Sequence, residues 1–415
     1  MKDIIYWIWL SLACTPGTDM FRKIYERYGS PAAAYAADPD DISEMFPNSN
    51  AVERFSDKSL RRSGAILDYC SDAGVSIITY ESPEYPEKLK GIDDPPAVIY
   101  FKGRKDAFTD GLSVSVVGTR SASDYGRKMA FSIAKDIAAA GGTVVSGMAL
   151  GIDGVSHAAA LAAGAMTVAV LGSGIDVVYP KSHAYLMREI IKNGAVITEY
   201  PPGTPPMRHN FPKRNRIISA LSDATVVVEG NADSGSIITA NYAFKQGRAV
   251  YAVPGNADSE NSEASTILIR KGAKILTCAD DVLRDFEFVY PGKVNVFSLL
   301  SEKPLNMERV LYKYRISSDK HHPEPPSDDE LSSIEMEKEL ADAEAAVRQA
   351  DLDRIVASLT GDESRIYNDI PENGCTYDEL VREDIPISAV LRSVSALQIK
   401  GLVEIMPGER IKRIT

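Results

Sequence analysis

The sequence predicts a doubly wound α/β fold with a mostly parallel sheet, and three observations carry that expectation. Between about residues 75 and 285, short β-branched runs alternate with helical stretches, as parallel βαβ units require. Most of these runs are continuously apolar, so the strands are covered on both faces. Glycine loops follow several of them, at the strand ends where open α/β sheets bind ligands.

Residues 1–75 read as a small helical domain. Ile4, Trp7, Ile8 and Leu12 share one helical face, and Thr15-Pro16-Gly17-Thr18 interrupts it. A second helix, Met20 to Tyr28, stops at Gly29-Ser30-Pro31. The pair with its PG turn fits a helical packing domain or a small DNA-contacting module. Residues 76–288 carry the expected strands: Val75–Thr79, Ala97–Phe101, Val114–Val117, Thr143–Val145, Thr167–Val170, Ala195–Thr198, Ala224–Val228, Ala249–Val253 and Ala273–Leu276. Helices are expected between them at Tyr125–Ala140, Ser182–Asn193, Asn215–Leu221 and Ser236–Gln246. Residues 289–360 form an acidic linker and a helix from Leu331 to Leu359. Residues 361–415 read as a winged helix of three helices and a hairpin around Pro407-Gly408. Its second-helix surface, Ser388 to Lys400, offers only Arg392 and Lys400 as charges, so protein contact or packing stands beside DNA reading.

At 415 residues the chain is long enough for two to four domains, at roughly 150 residues each. A formal net charge of -12 argues against a phosphate-rich partner. That average misleads, because ten acids against two bases between Asp319 and Glu344 concentrate a net −8 in one segment. A local basic face is therefore permitted. Cys14, Cys70, Cys278 and Cys375 form no CxxC pair and read as reduced thiols. No apolar run approaches the ~18 residues of a membrane span. The N-terminal stretch resembles a signal core, but Asp3, Ser11 and its aromatic residues suit a packed helix better. A cytoplasmic location without membrane contact is expected.

Chemistry concentrates in the strand-exit loops. Gly118-Thr119-Arg120-Ser121-Ala122-Ser123 leads into a helix: its glycine allows close backbone approach, its helix-start amides suit an anion, and Arg120 can fork onto a phosphate. It is not GxGxxG. Ser146, Gly147 and Gly151 belong to the next loop, in which Asp153 can cap a helix and pairs formally with His157. Arg208 to Arg216 carries four fixed positive charges, no acid and one ring. Lys213, Arg214 and Arg216 supply phosphate contacts, Asn215 sits among them, and Phe211 can stack on an unpaired base. Positive charge at a helix start opposes the macrodipole, which favours a ligand-binding reason for it. Ser234-Gly235-Ser236 makes an anion nest, and Lys245 or Arg248, near the end of the helix that follows, extends the same path or complements the helix dipole, with Lys245 the candidate. No HExxH or Walker motif occurs, so no cofactor, metal or catalytic residue is expected.

Taken together these blocks resemble the bacterial DNA-processing protein A (DprA/Smf) family. The matching stretches include Tyr85-Pro86-Glu87-Lys88-Leu89, Ser115-Val116-Val117-Gly118-Thr119-Arg120, Ser146 to Asp153, Leu171 to Pro180, Phe211-Pro212-Lys213-Arg214-Asn215-Arg216, Ser234-Gly235-Ser236 and Val253-Pro254-Gly255, in the family's order. The resemblance implies a homodimeric, non-enzymatic protein whose extended Rossmann-like domain binds single-stranded DNA. It also implies loading of the RecA recombinase in natural transformation. By motif match, the family's phosphate-pocket arginine falls on Arg120 and its basic element on Phe211, Lys213, Arg214 and Asn215. Ser236 stands where threonine is common, and the acidic 319–359 insertion has no family counterpart. Two other readings stay open. A nucleotide phosphoribohydrolase would need a PGGxGT loop where this chain has Pro254-Gly255-Asn256-Ala257-Asp258-Ser259. A winged-helix transcription regulator would bind duplex sequence-specifically.

Overall fold

The computed structural model describes residues 3–46, 51–109, 111–295, 305–316, 356, 359, 361–371, 374–382, 385–400, 402–406 and 410–413. They fall into two units, residues 1–323 and 324–415. The first begins with helices α1 (Ile4–Ala13), α2 (Met20–Tyr28), α3 (Pro31–Ala36), α4 (Pro39–Met45), α5 (Ala51–Ser56) and α6 (Arg61–Asp72). α2 ends at Gly29 in the left-handed region, and Ser30 then caps α3 by accepting the Ala33 N–H, with Pro31 in the first turn. α1 departs from the one-faced expectation. Trp7, Ile8, Trp9 and Leu10 are all buried, because a helix apolar all round needs cover all round. They share one core with Val98 and Tyr100 of the sheet, so these helices pack on it directly.

Each segment expected as a strand forms one: β1 (Ser76–Thr79), β2 (Val98–Gly103), β3 (Ser113–Val117), β4 (Thr143–Ser146), β5 (Thr167–Val170), β6 (Ala195–Thr198), β7 (Ala224–Val227), β8 (Ala249–Ala252) and β9 (Lys274–Ile275). Their order is β1-β2-β6-β5-β4-β3-β7-β8-β9. Pairing is parallel from β6 through β9, whereas β2 runs antiparallel to both β1 and β6. The sheet is thus mostly parallel, as expected, with an antiparallel edge. The 18 residues between β1 and β2 hold one four-residue helix, α7 (Glu87–Lys90), which is too short to cover a sheet face as a βαβ crossover helix does.

Alternate strand residues feed two cores. Val114, Val116 and Ala169 enter the first, under α8 (Asp124–Ala139), α9 (Ile152–Ala162) and α10 (Ala184–Asn193). Val117, Val168 and Val170 enter the second, under α11 (Asn210–Leu221), α12 (Gly235–Lys245) and α13 (Glu263–Arg270). Double coverage is why these strands read as unbroken apolar runs. α11 begins five residues before the expected Asn215, which matters for the site. From β3 the chain builds β4, β5 and β6 to one side, then returns to lay β7, β8 and β9 on the other. The order reverses between β3 and β7, where a crevice opens beyond their carboxyl ends.

The second unit holds helices Asp362–Asp369 and Ile387–Ile399 and an antiparallel pair, Val403–Met406 with Arg410–Arg413. Where a further helix was expected, the described residues show a 3-10 turn at Asp378–Leu380. Ile366, Ile370, Val390, Val394, Leu397 and Leu402 form its core. The acidic segment 319–344, and all but Val356 and Leu359 of the helix expected to Leu359, lie outside the described residues. Among the described residues no helix is long and apolar enough to cross a membrane.

Candidate nucleic-acid interface

The crevice between β3 and β7 is a cleft of about 600 Å³. Gly118, Thr119, Arg120, Phe211, Arg214, Asn215, Ser234, Gly235 and Ser236 line it, so loops far apart in sequence meet as expected. The interlock depends on glycine. Gly151 has φ +75, and a Cβ there would stand 2.4 Å from the Thr119 carbonyl oxygen; Ile152 N–H in turn donates to that carbonyl at 3.2 Å. A Cβ on Gly118 would stand 2.6 Å from Ile152 Cγ1.

Arg214 is buried, and its guanidinium donates to the Gly147 carbonyl at 2.9 Å and to the Val170 carbonyl. Gly147 is glycine for this reason: a Cβ would sit 2.5 Å from Arg214 Nη2. Burial pulls the Arg214 pKa down to about 10, with Asp153 opposing. Asn215 donates to the Gly235 carbonyl at 3.2 Å, tying α11 to the Ser-Gly-Ser turn. That turn is capped internally, since Ser234 Oγ accepts the Ser236 N–H. Arg120 is exposed and lies over the Phe211 ring, 5.5 Å from its centroid. The Phe211 ring also meets Tyr179 at 5.4 Å.

Six of the expected residues do not line the cleft. Ser146 is buried and donates to the Val116 carbonyl at 2.8 Å, joining β4 to β3. Gly147 and Gly151 act beneath the surface, through the close approaches above. Lys213 packs over Gly17, in the turn between α1 and α2. Lys245 pairs with Asp93 at 2.8 Å, at the C-terminal end of α12, about two turns beyond Thr239, which lines the cleft. Arg216 is the main correction. Its guanidinium is 1% exposed and makes two bonds to Glu199, at 2.6 and 2.8 Å, plus one to Asp94 at 2.9 Å. Burial works against its charge, but Glu199 and then Asp94 outweigh it, and the pKa ends above the ordinary value. This is a structural ion pair.

Two further expectations change. Asp153 does not cap α9; its carboxylate accepts the Gly147 N–H at 3.1 Å and the Ala149 N–H at 3.3 Å, bracing the loop behind it. Burial raises its pKa, with Arg214 pulling the other way. Nor does it pair with His157, whose Nδ1 lies 2.8 Å from Thr167 Oγ1 in the core. The helix-start groups read as free for an anion are also taken: Glu229 accepts the Ser123 N–H at 3.0 Å and its hydroxyl. Sequence reasoning passed over Tyr179, Glu199 and Glu229 as functional residues. The two glutamates stood just beyond apolar strands, a placement that marks a buried carboxylate with a local partner.

A family model described as DNA recombination-mediator protein A matches residues 76–287. The DNA processing protein DprA of Bacillus subtilis is 39% identical over 236 residues, which is 57% of this chain and 78% of that one. Protein Smf of Synechocystis is 32% identical over 283 residues, 67% of this chain and 71% of that one. The solved structure of DNA processing protein A from Streptococcus pneumoniae aligns with a TM-score of 0.58 at 32% identity, covering 68% of this chain and 96% of its own.

Proposed function

This chain belongs to the DNA recombination-mediator protein A family, and on that premise we propose that it binds single-stranded DNA and delivers it to a RecA-type recombinase. In this reading it acts in the cytoplasm, as a homodimer and without chemical turnover. One observation carries the reading. Arg120, Arg208 and Arg214 converge with the Phe211 and Tyr179 rings on an open cleft at the order reversal of the sheet. Among the described lining residues Asp153 is the one carboxylate, and loop amides hold it.

The chemistry favours a single strand over a duplex. Guanidinium groups and serine hydroxyls hold phosphates without regard to sequence. Tyr179 is 41% exposed beside Phe211, and such rings stack on unpaired bases, whose faces a duplex hides. For residues 361–415 we propose a winged helix that serves packing or protein contact.

The test is binding of a single-stranded oligonucleotide and of its duplex across a salt titration. The single strand should bind more tightly, with log affinity falling by about 0.7 per contacted phosphate for each decade of salt. Arg120→Glu should weaken single-strand binding about 10- to 100-fold, the scale of one charge-assisted hydrogen bond. Equal affinity for both forms, unchanged by Arg120→Glu, would refute the proposal. Release of free base from nucleotides would favour the phosphoribohydrolase reading instead.

A further inference from the structure

We infer that Glu229 decides what the crevice accepts: as an internal anion it fills the start of α8, the place where this topology ordinarily seats a nucleotide phosphate. The inference rests on the single-strand reading above and deepens it. Glu229 stands two residues past β7, at the order reversal, and is 5% exposed. One carboxylate oxygen accepts the Ser123 N–H at 3.0 Å, and the other accepts the Ser123 hydroxyl. The same Ser123 oxygen accepts the Gly126 N–H at 3.1 Å, so carboxylate and helix start form one hydrogen-bonded chain. Gly126 leaves the room for this, since a Cβ there would stand 2.2 Å from Glu229 Oε2.

A carboxylate this buried costs free energy unless something favours its charge. The positive end of the 16-residue α8 is suited to do so. In open α/β sheets, the helix after the first strand of the reversal gives that same end to a ligand's phosphate. Here the end is already neutralised. A free nucleotide offering its phosphate would meet a fixed negative charge, whereas a chain-bound phosphate can rest further out, on Arg120. The peptide oxygen of Glu229 adds a second effect by accepting the Thr119 N–H at 2.8 Å. One residue therefore pins the loop from Thr119 to Ser123 at both ends and aims Arg120 outward over Phe211. Glu229 is thus a specificity-determining and positioning residue.

The experiment uses the full chain with Glu229→Gln, which keeps the shape and removes the charge, and Glu229→Ala, which removes both. Titration with a nucleoside monophosphate should show roughly tenfold tighter binding to Glu229→Gln than to wild type, the scale of one relieved charge repulsion. Glu229→Ala should lose roughly tenfold in single-strand affinity and about one contact's share of the salt slope. Its effect should not add to that of Arg120→Ala. A purely structural role would lower the unfolding temperature and leave slope and monophosphate binding alone. If Glu229→Ala does not fold, the Glu229→Gln comparison decides. Folded variants with wild-type slope and wild-type monophosphate affinity would overturn the inference while Arg120→Glu still weakens DNA binding. If Arg120→Glu is itself without effect, the single-strand reading has failed first.

Discussion

At the scale of single residues, the basic run from Arg208 to Arg216 shows how a helix sorts charges that look equivalent in sequence. Successive residues turn by about 100°, so neighbours on α11 face different surroundings. Arg214 faces the cleft, Lys213 lies over Gly17, and Arg216 reaches Glu199 and Asp94. The residue types were legible, because four bases in nine positions without an acid are costly unless anions meet them. Their directions were not. The helix was expected from Asn215, and moving its start to Asn210 places all three bases on a helix whose phase the sequence had not supplied. A stability difference follows. Arg216→Ala leaves the buried Glu199 carboxylate, and the partly buried Asp94 beside it, without their partner and should cost about 3–5 kcal/mol. Lys213→Ala removes a half-buried side chain with no such partner left behind and should cost about 1 kcal/mol. Urea unfolding reads both as shifts in midpoint at unchanged slope. Equal midpoints for the two variants would mean that the Arg216 pair contributes nothing.

At the scale of elements, strands were the most legible part, because double coverage leaves an unbroken apolar run that no surface helix shows. The antiparallel edge was not legible, since the same residues serve either direction. Loop composition was legible as glycine and hydroxyl residues, but the interlock of the β3 and β4 loops rests on distances that no spacing encodes. Gly151→Ala tests that interlock. It forces a side chain into a positive-φ conformation and against the Thr119 carbonyl, so it should cost about 1–3 kcal/mol and weaken single-strand binding by shifting Arg120. Gly164 supplies the comparison, with φ +73 but open space around its would-be Cβ. Gly164→Ala should lose about 1 kcal/mol and leave DNA binding intact. Thermal unfolding and anisotropy measure the pair. Equal effects on binding would remove the interlock from the account of Arg120.

At the scale of the whole first unit, the site loops rest on a core that contains two histidines. His157 sits against Thr167, and His183 Nδ1 lies 3.1 Å from the carbonyl oxygen of Met148, which holds a positive φ in the β4–α9 loop. Burial depresses both pKa values; for His157, with His183 and Arg214 adding to burial, the value falls to about 3. The folded protein therefore binds these protons less readily than the unfolded chain, where a histidine titrates near ~6.5. Their contribution to stability is complete above about pH 6.5 and is lost as pH falls toward about 3, at up to about 1.4 kcal/mol per pH unit for His157. Asp153 acts in the opposite sense, because its raised pKa lets the folded state take up a proton first. That offset belongs to the carboxylate range, so the histidines dominate the upper part of the window. Urea midpoints measured from pH 7 down to pH 5 should fall for the wild-type chain, and His157→Gln, which cannot titrate, should flatten that fall. Parallel curves for the two proteins would show that His157 is not held neutral by its surroundings.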